Sequence, residues 1–238
     1  MGLFDIFGDR ESKAIKKHAA RVANKRSQSP ERWESILALG QMKTREAVEA
    51  LLVRFTFRIE PSISDQEEKE KVLEGVVAAG ENAVEPVLEM LKKSESIAWP
   101  LRILTKLLPE ERVTTELLSL LEGMDVEYER DPQKKREILG ELENRVDPRI
   151  AEAVLRFTED VNEACRFHAY GALIAQGGIE ERAQVLSDGL RREESMRVRA
   201  RILDALAKAG VKLAGEAPSG GLPVGYSIDR DGTIRTPH

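Results

Sequence analysis

Cysteine and histidine three residues apart form the first pair in this chain that could do chemistry. Cys165 and His168 share one face of a predicted helix, and a thiolate beside an imidazole can act as a nucleophile or bind a metal. Cys165 also belongs to an apolar stripe with Val161 and Ala172, which is typical of a packed helix face. No third residue that would orient the imidazole can be named. We therefore predict a structural role for the pair and no catalytic residue.

A second candidate is a short acidic motif near the end of the sequence. Asp229 and Asp231, followed by Gly232, match the middle of a calcium-binding loop. The bidentate glutamate that should close such a loop is missing, because His238 occupies its position. The motif therefore predicts a plain turn, and we expect no metal and no cofactor.

Glutamates repeat along two other predicted helices. Paired carboxylates do acid–base work only when they are buried together, and exposed helices often carry such ladders. The pattern favours a solvated helix face, with an acidic docking surface for a basic partner as the alternative. The residues concerned are Glu81, Glu85, Glu89, Glu67, Glu68 and Glu70.

Arginines are concentrated near the last predicted helix. Arg197 and Arg201 lie four residues apart and should share a helix face. Such a pair can bind phosphate or the carboxylates of a partner, and the alternative is a polar cap on a terminal repeat.

The candidate residues lie in segments whose apolar residues recur with the period of an α-helix. Ala, Leu, Glu, Arg and Lys dominate the 238 residues, 33% of which are charged and 5% aromatic. No apolar run is long enough to cross a membrane, and the N-terminus does not have the order of a signal peptide. A single cysteine excludes a disulfide framework. We expect a soluble, cytoplasmic protein.

Helices follow one another in pairs, with recurring landmarks roughly 30 to 40 residues apart. The segments LALGQMKTREAVEALL, VAAGENAVEPVLEML and ENRVDPRIAEAVLRF resemble HEAT repeats, in which a short turn joins two helices. The spacing is irregular, and the Asp/Arg pair expected of the family is clear only at Asp147 and Arg149. The resemblance implies an all-α, right-handed α-solenoid of about five helix pairs that binds other macromolecules, and it implies no chemistry.

The resemblance divides the chain into three parts. Residues 1–28 form an apolar and basic capping segment, 29–210 the repeats, and 211–238 a Gly- and Pro-rich tail in which Asp231-Gly232 indicates a small hairpin. Gly40, and glycines at the same place in several other pairs, are expected to follow the end of the first helix and fit a left-handed helix cap.

Two segments interrupt the helical pattern. In VRFTFRIEPSIS we expect a helix to end near Phe55 or Thr56 and an extended loop to reach Pro61. The acidic connector GMDVEYERDP carries Tyr128. Loops of this length often carry function. We therefore predict that Arg54, Arg58 and Tyr128 contact a partner. The helical pair Arg197 and Arg201 is predicted to contact it as well.

The first 26 residues combine apolar and basic side chains. Seven Lys or Arg and one Glu lie between Arg10 and Arg26, although the whole chain has a net charge of −5. Three interpretations compete: a cap on the first repeat, a docking element for a partner protein, and reversible attachment to an anionic membrane surface. The candidate docking residues are Phe4, Phe7, Lys13, Lys17 and Arg21.

We predict a non-catalytic adaptor or scaffold that binds another protein on the ridge or concave face formed by the second helices of the pairs. A peripheral membrane adaptor is the first alternative. The second is a HEAT-like enzyme similar to the alkylpurine DNA glycosylases or the phycobilin lyases. The glycosylase family implies a basic groove with tryptophans, whereas this chain has only Trp33 and Trp99 and an acidic body, which argues against nucleic acid.

Overall fold

The computed structural model describes the backbone of residues 3–213 and 218–237, and the side chains of these ranges from Arg10 onward. The protein is all-α, as predicted, with twelve α-helices and one short hairpin in the described residues. The chain divides into two compact units, residues 1–113 and 114–238. None of the described helices is long and apolar enough to cross a membrane.

The first unit consists of helices packed in alternation. Helix α2 packs against α4, and α4 against α6, while α3 packs against α5. Helix α1 packs against both α2 and α3, as a cap on the first pair would. The helices are α1 (Leu3–Ala23), α2 (Ser29–Met42), α3 (Arg45–Leu52), α4 (Ser62–Ala78), α5 (Glu81–Lys93) and α6 (Ala98–Leu107), and α7 (Glu110–Glu122) spans the boundary.

The apolar stripes that the sequence indicates form the core of this unit. Leu39, Leu51 and Val72 are among the fully buried residues. Helix α3 begins after Thr44, because the hydroxyl of this residue accepts a hydrogen bond from the amide of Ala47. The helix ends at Leu52, and a 3-10 turn, Val53–Thr56, leads into the extended loop.

Gly40 has a different role from the one its position predicted. It lies inside α2 rather than at its end, and the left-handed cap is Lys43, with φ 55°. A Cβ on Gly75 would lie 3.0 Å from the Cα of Gly40, so the absence of both side chains allows α2 and α4 to cross closely. Glycine is required at this position because α2 and α4 approach closely, and that approach cannot be read from a single sequence.

This crossing predicts the effect of a substitution. Gly75→Leu should lower the free energy of unfolding by about 1–3 kcal/mol, because the side chain must displace the backbone of α2. Urea denaturation followed by circular dichroism measures it. Ala78→Leu, at an exposed site on the same helix, is the control and should change the stability by less than about 0.5 kcal/mol.

The second unit repeats the same alternation. Helix α10 packs against α8 and α12, and α11 packs against α12. Asp147, Asn162 and Ser195 cap α9, α10 and α12 with their side chains. The elements are α8 (Gln133–Glu143), α9 (Pro148–Leu155), a 3-10 turn (Arg156–Glu159), α10 (Glu163–Ala175), α11 (Ala183–Arg192), α12 (Met196–Lys208), β1 (Ser227–Ile228) and β2 (Ile234–Arg235).

The tail folds back onto α12. Strands β1 and β2 pair antiparallel, so the predicted hairpin is present. Gly232 has φ 83°, and a Cβ there would lie 2.5 Å from the carbonyl oxygen of Leu213. The buried Arg199 donates hydrogen bonds to the carbonyls of Ser219 and Gly221, and the Tyr226 hydroxyl donates to Asp204. These contacts fix the tail to the last helix.

Candidate protein-binding groove

An open groove lies in the second unit. It runs along the second helix of three predicted helix pairs. Helices α7, α9 and α11 line it together with the 3-10 turn after α9, and its volume is about 890 Å³. We call it the second-helix groove. Its apolar lining residues are Leu118, Ala153, Leu155 and Val185, and its ionisable ones are Glu122, Arg149, Glu152, Arg156, Glu159, Asp188 and Arg192.

Each helix contributes its apolar lining in the same way. Two residues four apart face the core, Leu117 and Leu121 in α7, Ile150 and Val154 in α9, and Leu186 and Leu190 in α11. A third apolar residue beside each pair points into the groove. Leu155 is 42% exposed and Val185 38% exposed, whereas Leu118 is half-buried. Apolar side chains that share one groove with a polar rim are a candidate interaction site.

Arg149 joins two walls of the groove. Its guanidinium pairs with Asp147 at 2.7 Å and donates a hydrogen bond to the Thr115 hydroxyl at 3.0 Å. Hydrogen bonds from the guanidinium and from the backbone amide of Arg149 lower the pKa of Asp147 to about 2. This is the Asp/Arg pair that the sequence singled out, and it holds α9 to α7.

Two further arginines brace the other end of the groove. Arg156 donates to the carbonyls of Leu121 and Glu122 at 2.8 and 3.0 Å, which satisfies the exposed end of α7. Arg192 pairs with Glu159 at 2.8 Å. All three arginines of the groove are thus engaged within the protein.

Arg54 does not lie where the prediction of a partner-binding residue requires. Its side chain is 0% exposed, and it donates to Glu68 at 2.6 Å and to Asp65 at 2.8 Å. It also donates to the carbonyl of Phe57 and lies 4.6 Å from the centre of that ring. Arg54 is therefore a buried charge that holds the loop after α3, and it is unavailable to a partner.

Glu68 likewise departs from the predicted solvated helix face. Its carboxylate is buried and accepts hydrogen bonds from Arg32 and Arg54. Burial by itself would raise the pKa of Glu68, but the hydrogen bonds and charges of the two arginines outweigh it, and the pKa lies below its ordinary value. Two buried cations around a single carboxylate make this a structural centre.

Arg58 and Tyr128 lie on the surface, as predicted. Arg58 is exposed on the loop between the 3-10 turn and α4. Tyr128 is 78% exposed on the connector between α7 and α8. Both are accessible to a partner, and neither lines the second-helix groove.

Arg197 and Arg201 share a face, as their spacing predicted. Both guanidiniums lie over the ring of Phe167, at 4.1 and 3.6 Å from its centre. Arg197 pairs with Glu163, and Arg201 pairs with Glu143, each at 2.8 Å. These ion pairs link α12 to α10 and to α8. Both arginines lie outside the second-helix groove.

The N-terminal candidates are only partly described. Lys13 and Lys17 are exposed on α1, and Arg21 lies 3.7 Å from Glu34. The side chains of Phe4 and Phe7 lie outside the described residues. The alternative of a membrane-attached segment therefore stays a prediction.

The cysteine is buried, as the structural interpretation predicted. Cys165 is fully buried, and burial, followed by the charge of Asp160, raises the pKa of its thiol to about 12. His168 contacts Glu143 at 3.1 Å through Nδ1. No cluster of three or more metal-ligating side chains was found among the described residues.

This environment predicts the reactivity of the thiol. At pH 8 a thiol with a pKa of about 12 is protonated. We expect iodoacetamide to alkylate Cys165 about 100-fold more slowly in the native protein than in urea. Mass spectrometry of timed samples measures the two rates, and equal rates would contradict the buried placement.

Comparison with known proteins adds no family to this description. No protein-family model matches the chain, and no curated protein matches it significantly. The resemblance to HEAT repeats therefore rests on the residues quoted above.

The second-helix groove was not predicted residue by residue. One signal was available: Leu118, Leu155 and Val185 each lie directly beside a residue of the buried stripe. A wider apolar stripe indicates either deeper burial or an exposed binding face, and only the packing decides between them.

Proposed function

We propose that this protein is a non-catalytic adaptor that binds another protein through the second-helix groove. The observation that carries the proposal is the apolar lining that three successive second helices contribute to one groove, namely Leu118, Leu155 and Val185, of which the last two are exposed.

The proposal includes a right-handed solenoid of HEAT-like helix pairs. It is supported by the alternate packing of first helices on first helices, α2 on α4 and α4 on α6, and α8 on α10 and α10 on α12. It is also supported by the Asp147 and Arg149 pair at the start of a second helix. In such repeats the second helices form the surface that binds partners.

The proposed adaptor acts in the cytoplasm and transfers no chemical group. The single cysteine favours a reducing compartment. Its thiol is protonated and buried, and the buried carboxylate Glu68 is held between two arginines. The buried positions of Cys165 and Glu68 support a non-catalytic function.

The proposal is tested by affinity capture from a native lysate followed by mass spectrometry. Leu155→Ser with Val185→Ser removes the apolar lining and leaves the charge unchanged. Each truncated contact should weaken binding by about tenfold or more. We expect one or a few proteins to be retained by the native chain and lost by this variant.

A matched control separates the groove from surface hydrophobicity in general. Val146→Ser with Val224→Ser removes two apolar side chains that are more exposed than those of the groove and lie outside it. This control should retain the same partners. Retention by both variants, with both still folded, would contradict the proposal.

A further inference from the structure

The positive and negative side chains that line the second-helix groove differ in how far they are bonded within the protein. Arg149 is committed to Asp147 and Thr115, Arg156 to two carbonyls of α7, and Arg192 to Glu159. Every cation of the lining is thus bonded inside the protein. A partner carboxylate would have to compete with these bonds.

Two carboxylates of the same groove remain available. Glu122, at the end of α7, and Glu152, on α9, are exposed. Neither carboxylate is seen to accept a hydrogen bond or to form an ion pair with the residues that the structure describes. Asp188, by contrast, pairs with Arg191 at 2.8 Å. The charge that the groove offers to a partner is therefore negative.

The placement of the apolar lining indicates the shape of its occupant. The groove is open to solvent and has a volume of about 890 Å³. Leu118, Leu155 and Val185 come from three different helices, so the apolar lining extends across the groove and can meet a stripe of side chains on one helix face.

We propose that the second-helix groove binds an amphipathic helix of a partner protein whose apolar stripe is flanked by lysine or arginine. The apolar stripe covers Leu118, Leu155 and Val185, and the basic flanks meet Glu122 and Glu152. This inference rests on the proposed adaptor function and specifies the chemistry of its partner.

Three synthetic helical peptides of about 18 residues, or five turns, test the proposal. They share one leucine stripe and differ only at the flanking positions, which are all lysine, all glutamine or all glutamate. Fluorescence anisotropy measures their affinity for the full-length protein. We expect the lysine peptide to bind about tenfold more tightly than the glutamate peptide.

Two carboxylate variants assign the preference to the groove. Glu122→Gln with Glu152→Gln should reduce the difference between the peptides to about threefold or less. Glu46→Gln with Glu67→Gln makes the same change in net charge at exposed positions of the first unit. This second variant should keep the full preference. Equal effects of the two variants would overturn the inference, since general attraction to an acidic protein would explain them.

The outcomes also separate this inference from the proposed function. If the three peptides bind equally and Leu155→Ser with Val185→Ser weakens all of them, the groove binds helices without regard to charge, and only the inference is overturned. If no peptide binds with a Kd below about 1 mM, the helix assignment is overturned. The adaptor proposal is then decided by the lysate capture alone.

Discussion

Replacing Glu68 by glutamine is expected to lower the free energy of unfolding by about 3–5 kcal/mol. The carboxylate of Glu68 is 1% exposed and accepts hydrogen bonds from Arg32 at 2.8 and 2.9 Å and from Arg54 at 2.6 Å. A neutral amide would leave two buried guanidiniums with only Asp65 to balance them. Urea denaturation at pH 7 measures the loss.

The neighbouring residue provides the control. Glu67 is exposed on the same turn of α4, and Glu67→Gln should change the stability by less than about 0.5 kcal/mol. If the two variants are equally stable, the buried network contributes nothing beyond a surface charge, and the description of Arg54 as a structural residue is wrong.

The same network predicts how stability depends on pH. The pKa values of Glu68 and Asp65 lie below their ordinary values of 4.5 and 3.8 in the folded protein. Stability from these groups is therefore present above the unfolded pKa values and is lost as the pH falls through the folded ones. The urea concentration at the unfolding midpoint, measured from pH 6 downward, should begin to decrease once the pH is below about 4.5. Glu68→Gln should make that decrease smaller.

Replacing Lys135 by methionine is expected to have an effect of similar size in the second unit, about 3–5 kcal/mol. Its ammonium is buried and pairs with Asp160 at 2.7 Å and with Glu129 at 3.3 Å. It also donates to the carbonyl of Asp125 at 2.8 Å. Removing it leaves the fully buried carboxylate of Asp160 without its cation.

The pKa of Lys135 is consistent with this role. Burial alone would lower it, but Asp160 and Glu129 outweigh burial and raise it above 10.5. Arg136→Met, at the exposed next position, is the control for loss of a cation and should be nearly neutral. A Lys135→Met protein as stable as this control would contradict the assignment of a buried ion pair.

Local patterns in the sequence predicted much of the fold. Apolar residues at helical spacing identified the helices, and Asp231-Gly232 identified the hairpin turn. The helical stripe ending near Phe55 was also correct, because α3 and its 3-10 turn end at Thr56. These features depend on neighbours within a few positions, and such neighbours are visible in a single sequence.

Features that depend on distant residues could not be predicted in this way. Arg54 and Glu68 are 14 positions apart, and Arg32 and Glu68 are 36 apart. In the sequence each resembles an ordinary surface charge, because burial is decided by packing between helices. The role of Gly40 was missed for the same reason, since its neighbour Gly75 is on another helix.

The candidate site shows the same limit. Second helices were predicted as the binding face, and the groove lies along three of them. Its lining residues were not named, because Leu155 and Val185 are apolar residues beside a buried stripe and could equally have been core. Arg197 and Arg201 were correctly placed on one face, but the ring of Phe167 and two glutamates engage them.

The most direct test of the adaptor proposal is site-specific photo-crosslinking in cells. A photoreactive amino acid is placed at Val185, inside the second-helix groove, and in a matched protein at Val146, which is exposed outside it. The proposal predicts a partner protein crosslinked at position 185 and absent at position 146. Identical crosslinked proteins at both positions, or none at position 185, would contradict it.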